Sequence, residues 1–353
     1  MVSYVLGRCK LEKTVFREPF VSIIILNYNG MVYVEQCLGT VLKSNYSNFE
    51  VILVDNASTD ESFRLAKELF SSNEHLKFVS NDSNLGYAEG NNRGVAFCNP
   101  MVEYIIFLNI DTKVDPMWIK NLVSTVEKNE SVGAAQCKLI QLNNPTKIDS
   151  LGGLTDYLGF CYIRASGHGD QIYDHVEEIF YAEGAALLIK AKVARQVKIK
   201  KTSVFDPNFF CLHEDLDLCW RVRLQGYKVL FVPSSVVYHA RGGTHTKDCS
   251  PLLVFHQTKN RFTVMISNYE LKSLLRYLPI LLFMEVNAGV FLIPKNPSRG
   301  MAILKGIGWA VKNLKQIFER RQIIQGCRKI GDDSIIEQME KPHIGSLFRA
   351  LAR

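Results

Sequence analysis

Four short polar clusters carry the side chains best suited to chemistry. They are Asn109-Ile110-Asp111 in "YIIFLNIDTKVDP", Asp55-Asn56 in "EVILVDNASTDES", Glu214-Asp215 in "CLHEDLDLCWR" and His239 in "SVVYHARGGT". A carboxylate at the tip of an apolar run, two residues beyond an amide, suits a hard divalent cation carrying a diphosphate. The carboxylate supplies one oxygen, and phosphates and water complete the shell. The same residue types also cap helices and make turns after strands. His239 closes another apolar run, where an imidazole serves either as a metal ligand or as a hydrogen-bonded surface group. Glu214 and Asp215 stand where acids complement the dipole of a helix N-terminus. Gly86, Gly90 and Gly94 lack the G-x-G-x-x-G spacing of a dinucleotide fingerprint. They are expected instead to allow close backbone approach in a ligand-side loop.

The elements that must hold these clusters follow from periodicity. "VSIIILNYNG" reads as a buried strand ending in turn residues, and Val34, Cys37, Leu38, Val41 and Leu42 as the inner stripe of a helix. Val51 to Val54 is a second strand, and Ser58 with Glu61 has the spacing of a capping box before the next helix. "LKFVS" and "YIIFL" are further strands, and Pro116 is expected at the first position of a helix striped by Ile119, Leu122, Val123 and Val126. The pattern is less regular from Gly133 to about Val204. Glu214 and Asp215 then open a helix that ends at Gly226, and "YKVLFV" and "SVVYH" read as two strands. Solidly apolar strands alternating with helices predict an α/β fold with a mostly parallel, Rossmann-like sheet covered on both faces. Ligands of such sheets lie beyond the carboxyl ends of the strands. Asn27-Tyr28-Asn29, Asp55-Asn56, Asn81 to Asn92 and Asn109 to Asp111 all fall there, so they are expected to converge on one cleft.

A chain of 353 residues, 47% hydrophobic and 22% charged, suits one large α/β domain with appendages. Its nine cysteines include no C-x-x-C pair, which argues against a disulfide framework or a zinc ribbon and for reduced thiols. The first twenty residues lack the continuous apolar core of a signal peptide. The net charge of +7 is concentrated beyond Lys295. Charge alone fits an anionic partner and a solvated helix face equally. "SLLRYLPILLFMEVNAGVFLIP" has bilayer-spanning length but contains Arg276, Pro279, Glu285 and Asn287. A central acid costs roughly 2.5–3.5 kcal/mol on insertion scales. A pair of amphipathic pieces, on a membrane or packed on the main domain, is therefore expected. Trp309 and apolar residues interleave with lysines in "ILKGIGWAVKNLKQIFERR", as in interfacial helices, which favours an anionic cytoplasmic leaflet as partner. Nucleic acid is disfavoured, because the cations sit in the apolar tail rather than among exposed aromatics.

Taken in order, "VSIIILNYNG", "EVILVDNASTDES", "NLGYAEGNNRG", "FLNIDT", "GAALLIK", "FDPNFFCLHEDLDLCWR" and "YHARGGT" resemble the blocks of the family-2 inverting glycosyltransferases of the GT-A fold, in particular the rhamnosyltransferase-like branch. The resemblance runs from about Val21 to Thr244. It implies that Tyr28, Asn29 and Asp55 hold the pyrimidine of a UDP- or dTDP-sugar, with Asp55 accepting from the ring N3–H. Asn84, Gly86 and Asn91 would pass under the ribose and pyrophosphate. Asn109 and Asp111 would occupy the place of the family's D-x-D, with Asp111 and His239 holding Mg²⁺ or Mn²⁺. Asp215 would be the catalytic base and Glu214 its neighbour on the acceptor side. Asn109 removes one negative charge from that motif, which weakens its hold on a metal, and Ile110 stands where the branch usually has proline. The implied organisation is a lead-in (1–20), a catalytic domain (21–267, donor half to about 130) and a helical, membrane-associated extension (268–353). The implied acceptor is a lipid-linked or growing glycan in surface polysaccharide or glycoconjugate synthesis. A nucleotidyltransferase would carry a glycine- and basic-rich phosphate loop where this chain has "NYNGMVYVEQ", and a non-catalytic binding protein would have lost Asp111 or Asp215.

Overall fold

The computed structural model describes residues 18–169, 173–199, 203–241 and 250–342. Residues 1–17 of the lead-in and the Gly242 to Thr244 end of the last block lie outside the described residues. The first half alternates strictly: β1 (Val21–Asn27), α1 (Val34–Val41), β2 (Phe49–Asp55), α2 (Ser62–Phe70), β3 (Leu76–Ser80), α3 (Gly86–Val95) and β4 (Tyr104–Asn109). A short β5 (Thr112–Val114) and α4 (Trp118–Glu127) follow, then β6 (Val132–Gln141), β7 (Ile148–Ser150), β8 (Gly153–Thr155), β9 (Cys161–Ile163) and β10 (Glu177–Glu178). β11 (Ala186–Lys190), α5 (Ala191–Gln196), α6 (Glu214–Leu224) and β12 (Lys228–His239) complete the sheet region. The chain then becomes helical: α7 (Pro251–Asn268), α8 (Leu271–Leu292), α9 (Pro297–Lys312), α10 (Leu314–Cys327) and α11 (Asp332–Ile336).

The main sheet runs β10-β12-β6-β11-β4-β1-β2-β3, with β5 on β12 and β7 on β6. β1, β2, β3 and β4 are mutually parallel, as are β6 and β12, whereas β11 is antiparallel to both its neighbours. The sheet is thus mixed and mostly parallel. Strands β1 and β2 are buried almost throughout because two hydrophobic clusters, one per face, close over them. Register aligns Asn27 with Asp55 and Leu26 with Asn109, so the polar tips of β1, β2 and β4 form one row.

Several local expectations are corrected. Gly90 and Gly94 are not in a loop but on the sheet-facing side of α3, where a Cβ would come within 2.6 Å of Leu26 and 2.5 Å of Ile24 respectively. Their smallness sets the helix-to-sheet distance. The capping box does not form: α2 begins after Glu61, and the Ser58 hydroxyl accepts from the backbone of Asn29 instead. Asp60 satisfies the backbone N–H of Ser62. Helix α4 starts two residues beyond Pro116. The two strands read before His239 are one, because a register shift between Val232 and Val236 absorbs Pro233 without ending the pairing.

The apolar stretch after Asn268 is one 22-residue helix with Pro279 inside it, not two pieces. Its Glu285 turns inward to pair with buried Arg261. Several cations read as facing an anionic partner are likewise spent internally. Arg320 lies between Asp206 and Asp217 at 5% exposure, with its Nε 2.7 Å from Asp206. Arg321 donates to the carbonyls of Ile266 and Tyr269, and Arg328 pairs with Asp332. Breaking a buried pair from one side strands the other charge, at about 3–5 kcal/mol. Arg320→Ala is therefore expected to cost about that much in urea unfolding, whereas exposed Lys312→Ala stays within about 0.5 kcal/mol. Equal midpoints for the two variants would contradict the assignment.

Candidate functional site

The tips of β4 and β12 meet at one wall of a cavity of about 310 Å³, a volume within the range of small-molecule sites. Asn109, Asp111 and His239 line this wall, and Glu214 and Asp215 line the same cavity from the start of α6. β5 pairs with the end of β12, placing Thr112 opposite His239 and so fixing the two tips side by side. The His239 Nε2 lies 3.2 Å from Asp111 Oδ1 and 3.5 Å from the Asn109 amide nitrogen. Its Nδ1 is 2.8 Å from Asp149 Oδ2. Burial opposes charge on this ring, but the bonds to Asp111 and Asp149 outweigh it and raise the imidazolium pKa to about 9. Burial would also raise the Asp149 carboxyl, yet His239 and Arg241 together hold it below its ordinary range.

Arg241 extends the network. Its Nε pairs with Asp149 at 2.6 Å and its other arm reaches Glu183 at 3.1 Å. Asp149, Glu183 and Arg241 were not singled out in the sequence. Asp149 sits in an unremarkable "KIDSLGG" turn, and only its burial on β7 beside His239 reveals it.

At the start of α6, Leu212 and His213 both adopt φ of 69°, a left-handed pair just ahead of the helix. Such backbone costs roughly 1–2 kcal/mol per residue, and something must hold it. Asn260 of α7 does so, donating to the carbonyls of Cys211 at 2.9 Å and Leu212 at 2.7 Å. The resulting turn launches Glu214 and Asp215 into the cavity. The Gly184 amide donates to Asp215 Oδ2 at 3.3 Å. Burial, then the nearby Glu183 charge, raises the Asp215 carboxyl to about 6. Burial and the Asp215 charge push Glu214 well above the carboxylate range, and its Oε2 is buried without a hydrogen-bond partner. Asp217, one turn on, is structural, held low despite burial by Arg320 and Arg221.

The remaining sequence candidates do not line this cavity. Asp55 is buried, accepting from Asn27 Nδ2 at 2.9 Å and the Ser58 amide at 3.1 Å. Tyr28 is 47% exposed beside it. Asn29, at φ 53°, accepts from the Thr59 backbone amide with its side-chain Oδ1 at 2.7 Å. Asn84 accepts from the Gly86 amide and from Asn56, both at 2.9 Å, and so shapes its own loop. Asn91 lies within α3, almost fully buried, with its amide on the Tyr87 carbonyl. Gly86 opens α3 at φ +76°, and a Cβ there would meet the Phe210 carbonyl oxygen at 2.3 Å. The Tyr87 amide bonds that same oxygen at 2.6 Å. Gly86 thus lets α3 clamp the segment that leads to Asp215.

The Asp111–His239 pair has the spacing of two neighbouring cation ligands. Donors at 2.0–2.1 Å on adjacent octahedral positions stand about 3 Å apart, close to the 3.2 Å between Asp111 Oδ1 and His239 Nε2. An outer carboxylate on the far nitrogen is the usual partner of a metal-bound imidazole, and Asp149 provides it. Among the described residues no three His, Cys, Asp or Glu side chains group as a cation site. A cation held there would displace the proton that His239 Nε2 shares with Asp111 and would take its other ligands from a substrate and water.

A GT-A type sheet with two carboxylate-bearing walls around one cavity defines the class. A family profile described as glycosyl transferase family group 2 matches residues 104–290, and one described as glycosyl transferase family 2 matches residues 22–153. The chain belongs to glycosyltransferase family 2. It is 28% identical over 116 residues to an uncharacterised glycosyltransferase of Haemophilus influenzae, covering 33% of this chain and 35% of that one. The chain spans about a third of the length of that curated relative. Its fold is similar to GalNAc-T7 solved with UDP, GalNAc and Mn²⁺, at TM-score 0.60 and 14% identity over 84% of this chain and 57% of that one. It is also similar to mannosyltransferase PcManGT of Pyrobaculum calidifontis with GDP-Man and Mn²⁺, at TM-score 0.52 and 15% identity over 96% and 87% of the two chains.

The Gly86 contact makes a direct prediction. Gly86→Ala meets both left-handed strain and backbone collision, and is expected to lower stability by about 2 kcal/mol or more. Gly169→Ala, with nothing within 4 Å of its Cβ, should change it by less than about 0.5 kcal/mol. Thermal unfolding of both variants checks this, and a silent Gly86→Ala would refute the clamp.

Proposed function

We propose that the protein transfers a glycosyl group from a nucleoside-diphosphate sugar to a hydroxyl of a lipid-linked or growing glycan, with inversion at the anomeric carbon. The observation that carries this reading is that Asp111, His239 and Asp215 line one cavity. The residues of 21–130 would supply the donor half, with Tyr28, Asn29 and Asp55 at the base, and 131–267 the acceptor half. UDP- and dTDP-sugars both present an N3–H to Asp55, and a dTDP-rhamnose donor follows the rhamnosyltransferase-like blocks. The neighbours solved with UDP or GDP-Man and with Mn²⁺ support a nucleotide-sugar donor and a divalent cation. A lipid-linked acceptor would place the protein in the cytoplasm, peripheral on the inner face of the cell membrane.

In this mechanism Asp215 accepts the proton of the acceptor hydroxyl as its oxygen bonds the anomeric carbon. The bond from that carbon to the phosphate oxygen breaks on the opposite side, and the nucleoside diphosphate departs with the electron pair. Asp111 and His239 would hold Mg²⁺ or Mn²⁺, which when bound neutralises charge on the departing diphosphate. Asp149 and Arg241 orient His239, and burial first, then the Glu183 carboxylate, make Asp215 a stronger base than an ordinary aspartate. Burial and the Asp215 charge push the Glu214 carboxyl up, and in its protonated form it would donate a hydrogen bond to the acceptor.

A hydrolysis and transfer screen of nucleotide sugars, with and without Mg²⁺ or Mn²⁺, tests the reading. Cleavage of none of them would overturn it. Asp215→Asn is expected to lower turnover roughly 10²–10⁴-fold while calorimetry shows donor binding intact. Asp111→Ala should weaken nucleoside diphosphate binding and its metal response together. The base must be ionised, so turnover should fall as pH drops through about 6, the value Asp215 is raised to. An acid limb near 4 in the wild-type profile would argue against Asp215 as that base.

A further inference from the structure

Helix α8 is 22 residues long and apolar enough to cross a membrane by length and composition. Its packing argues otherwise. Leu274, Tyr277, Leu281 and Ala288 are buried along one side, and Glu285 on that side pairs with Arg261. The side is therefore held to the domain from end to end. At Gly289 a Cβ would stand 2.9 Å from Leu304, so α8 and α9 also lie in close contact. A spanning α8 would have to leave this packing and would carry Glu285 into lipid without Arg261.

The opposite side is bare. Leu275 is 67% exposed, Phe283 71% and Val290 56%, with Leu282, Val286 and Phe291 beside them. Lys272, Arg276, Phe283 and Val290 recur at i, i+4, i+11 and i+18, and so lie on one ridge of the helix. Between Leu271 and Lys312 the cations are Lys272, Arg276, Lys295, Arg299, Lys305 and Lys312, and the single acid, Glu285, is turned inward and neutralised. Apolar side chains flanked by cations, with no outward acid, match the boundary between acyl chains and anionic headgroups.

We infer that α8 lies in the plane of an anionic bilayer, with the Phe283–Val290 ridge immersed at headgroup depth and Lys272, Arg276 and Lys295 on the lipid charges. The inference rests on the membrane location proposed above, not on the transfer chemistry, and it names the surface that meets the lipid. Tyr277 of this helix packs on Tyr157, with ring centroids 5.0 Å apart. Tyr157 belongs to the turn between β8 and β9, and Cys161 and Ile163 of β9 line the cavity. A membrane surface at α8 would thus lie close to the acceptor side.

Flotation of the full chain with phosphatidylcholine vesicles, and with vesicles containing 30% phosphatidylglycerol, tests this. The wild type is expected to float with the anionic vesicles, at least tenfold more than with the neutral ones, and to lose most of that binding at 0.5 M NaCl. Phe283→Glu/Val290→Glu should lower anionic binding at least tenfold, while Met101→Glu, at another exposed apolar residue, leaves it unchanged. Matching thermal unfolding and unchanged nucleotide-sugar hydrolysis in detergent-free solution would show that the double variant is folded. Undiminished binding by the double variant would overturn the α8 assignment and leave the membrane location standing. No binding by the wild type would overturn both, without touching the transfer reaction. Concentration-dependent dimers broken by the double variant would assign the ridge to a second copy of the chain and also overturn the proposal.

Discussion

A single imidazole ties the site together. His239, at the end of β12, is held between Asp111 beyond β4 and Asp149 on β7, so three separate chain segments meet at one ring. The sheet order makes this possible. β11 enters antiparallel between β4 and β6, and β5 folds back on β12, which carries the β12 tip round to the β4 tip. Without the bond to Asp149, the ring would have no fixed orientation toward Asp111, and this wall of the cavity would lose its shape. Arg241 continues the chain of alternating charge to Glu183, whose field reaches the proposed base. The two walls are therefore electrostatically joined as well as adjacent.

The placement of Asp215 depends on a different constraint. Asp215 reaches the cavity only because two consecutive residues accept left-handed backbone, and that strain is held by Asn260 from the helical region and by the close contact of Gly86 with Phe210. Catalytic carboxylates are commonly placed by strained segments that their surroundings over-determine. Here the surroundings include α7 and, through Arg320 on Asp206 and Asp217, α10. The helical C-terminal region is part of what shapes the site, whatever else it touches.

The strand and helix alternation of the first half was legible because apolar runs of strand length and 3.6-residue stripes each have one interpretation there. Asp111, His239 and Asp215 were legible as candidates for the same reason: each marks the abrupt end or start of a patterned element. What could not be read were contacts between distant segments. Asp149 and Arg241 have no local signature, and Asn260 looks like any polar residue of an amphipathic helix. Gly90 and Gly94 looked like loop residues because glycine in sequence reports small size without saying which neighbour requires it. Glu285 looked like a charge stranded in an apolar run, and its partner Arg261, in the preceding helix, could not be read from the sequence. Asn84 and Asn91 shape the backbone around the proposed donor groove through their amides rather than facing the cavity.

The central claim is that a proton acceptor and a phosphate-holding wall confront each other across the same sugar. Proton NMR of the first free sugar released from an α-linked nucleotide sugar, with water as acceptor, examines that geometry directly. The β-anomer should appear first and convert slowly to the equilibrium mixture. Initial release of the α-anomer would contradict the account, because direct displacement by an oxygen deprotonated at Asp215 inverts the anomeric carbon.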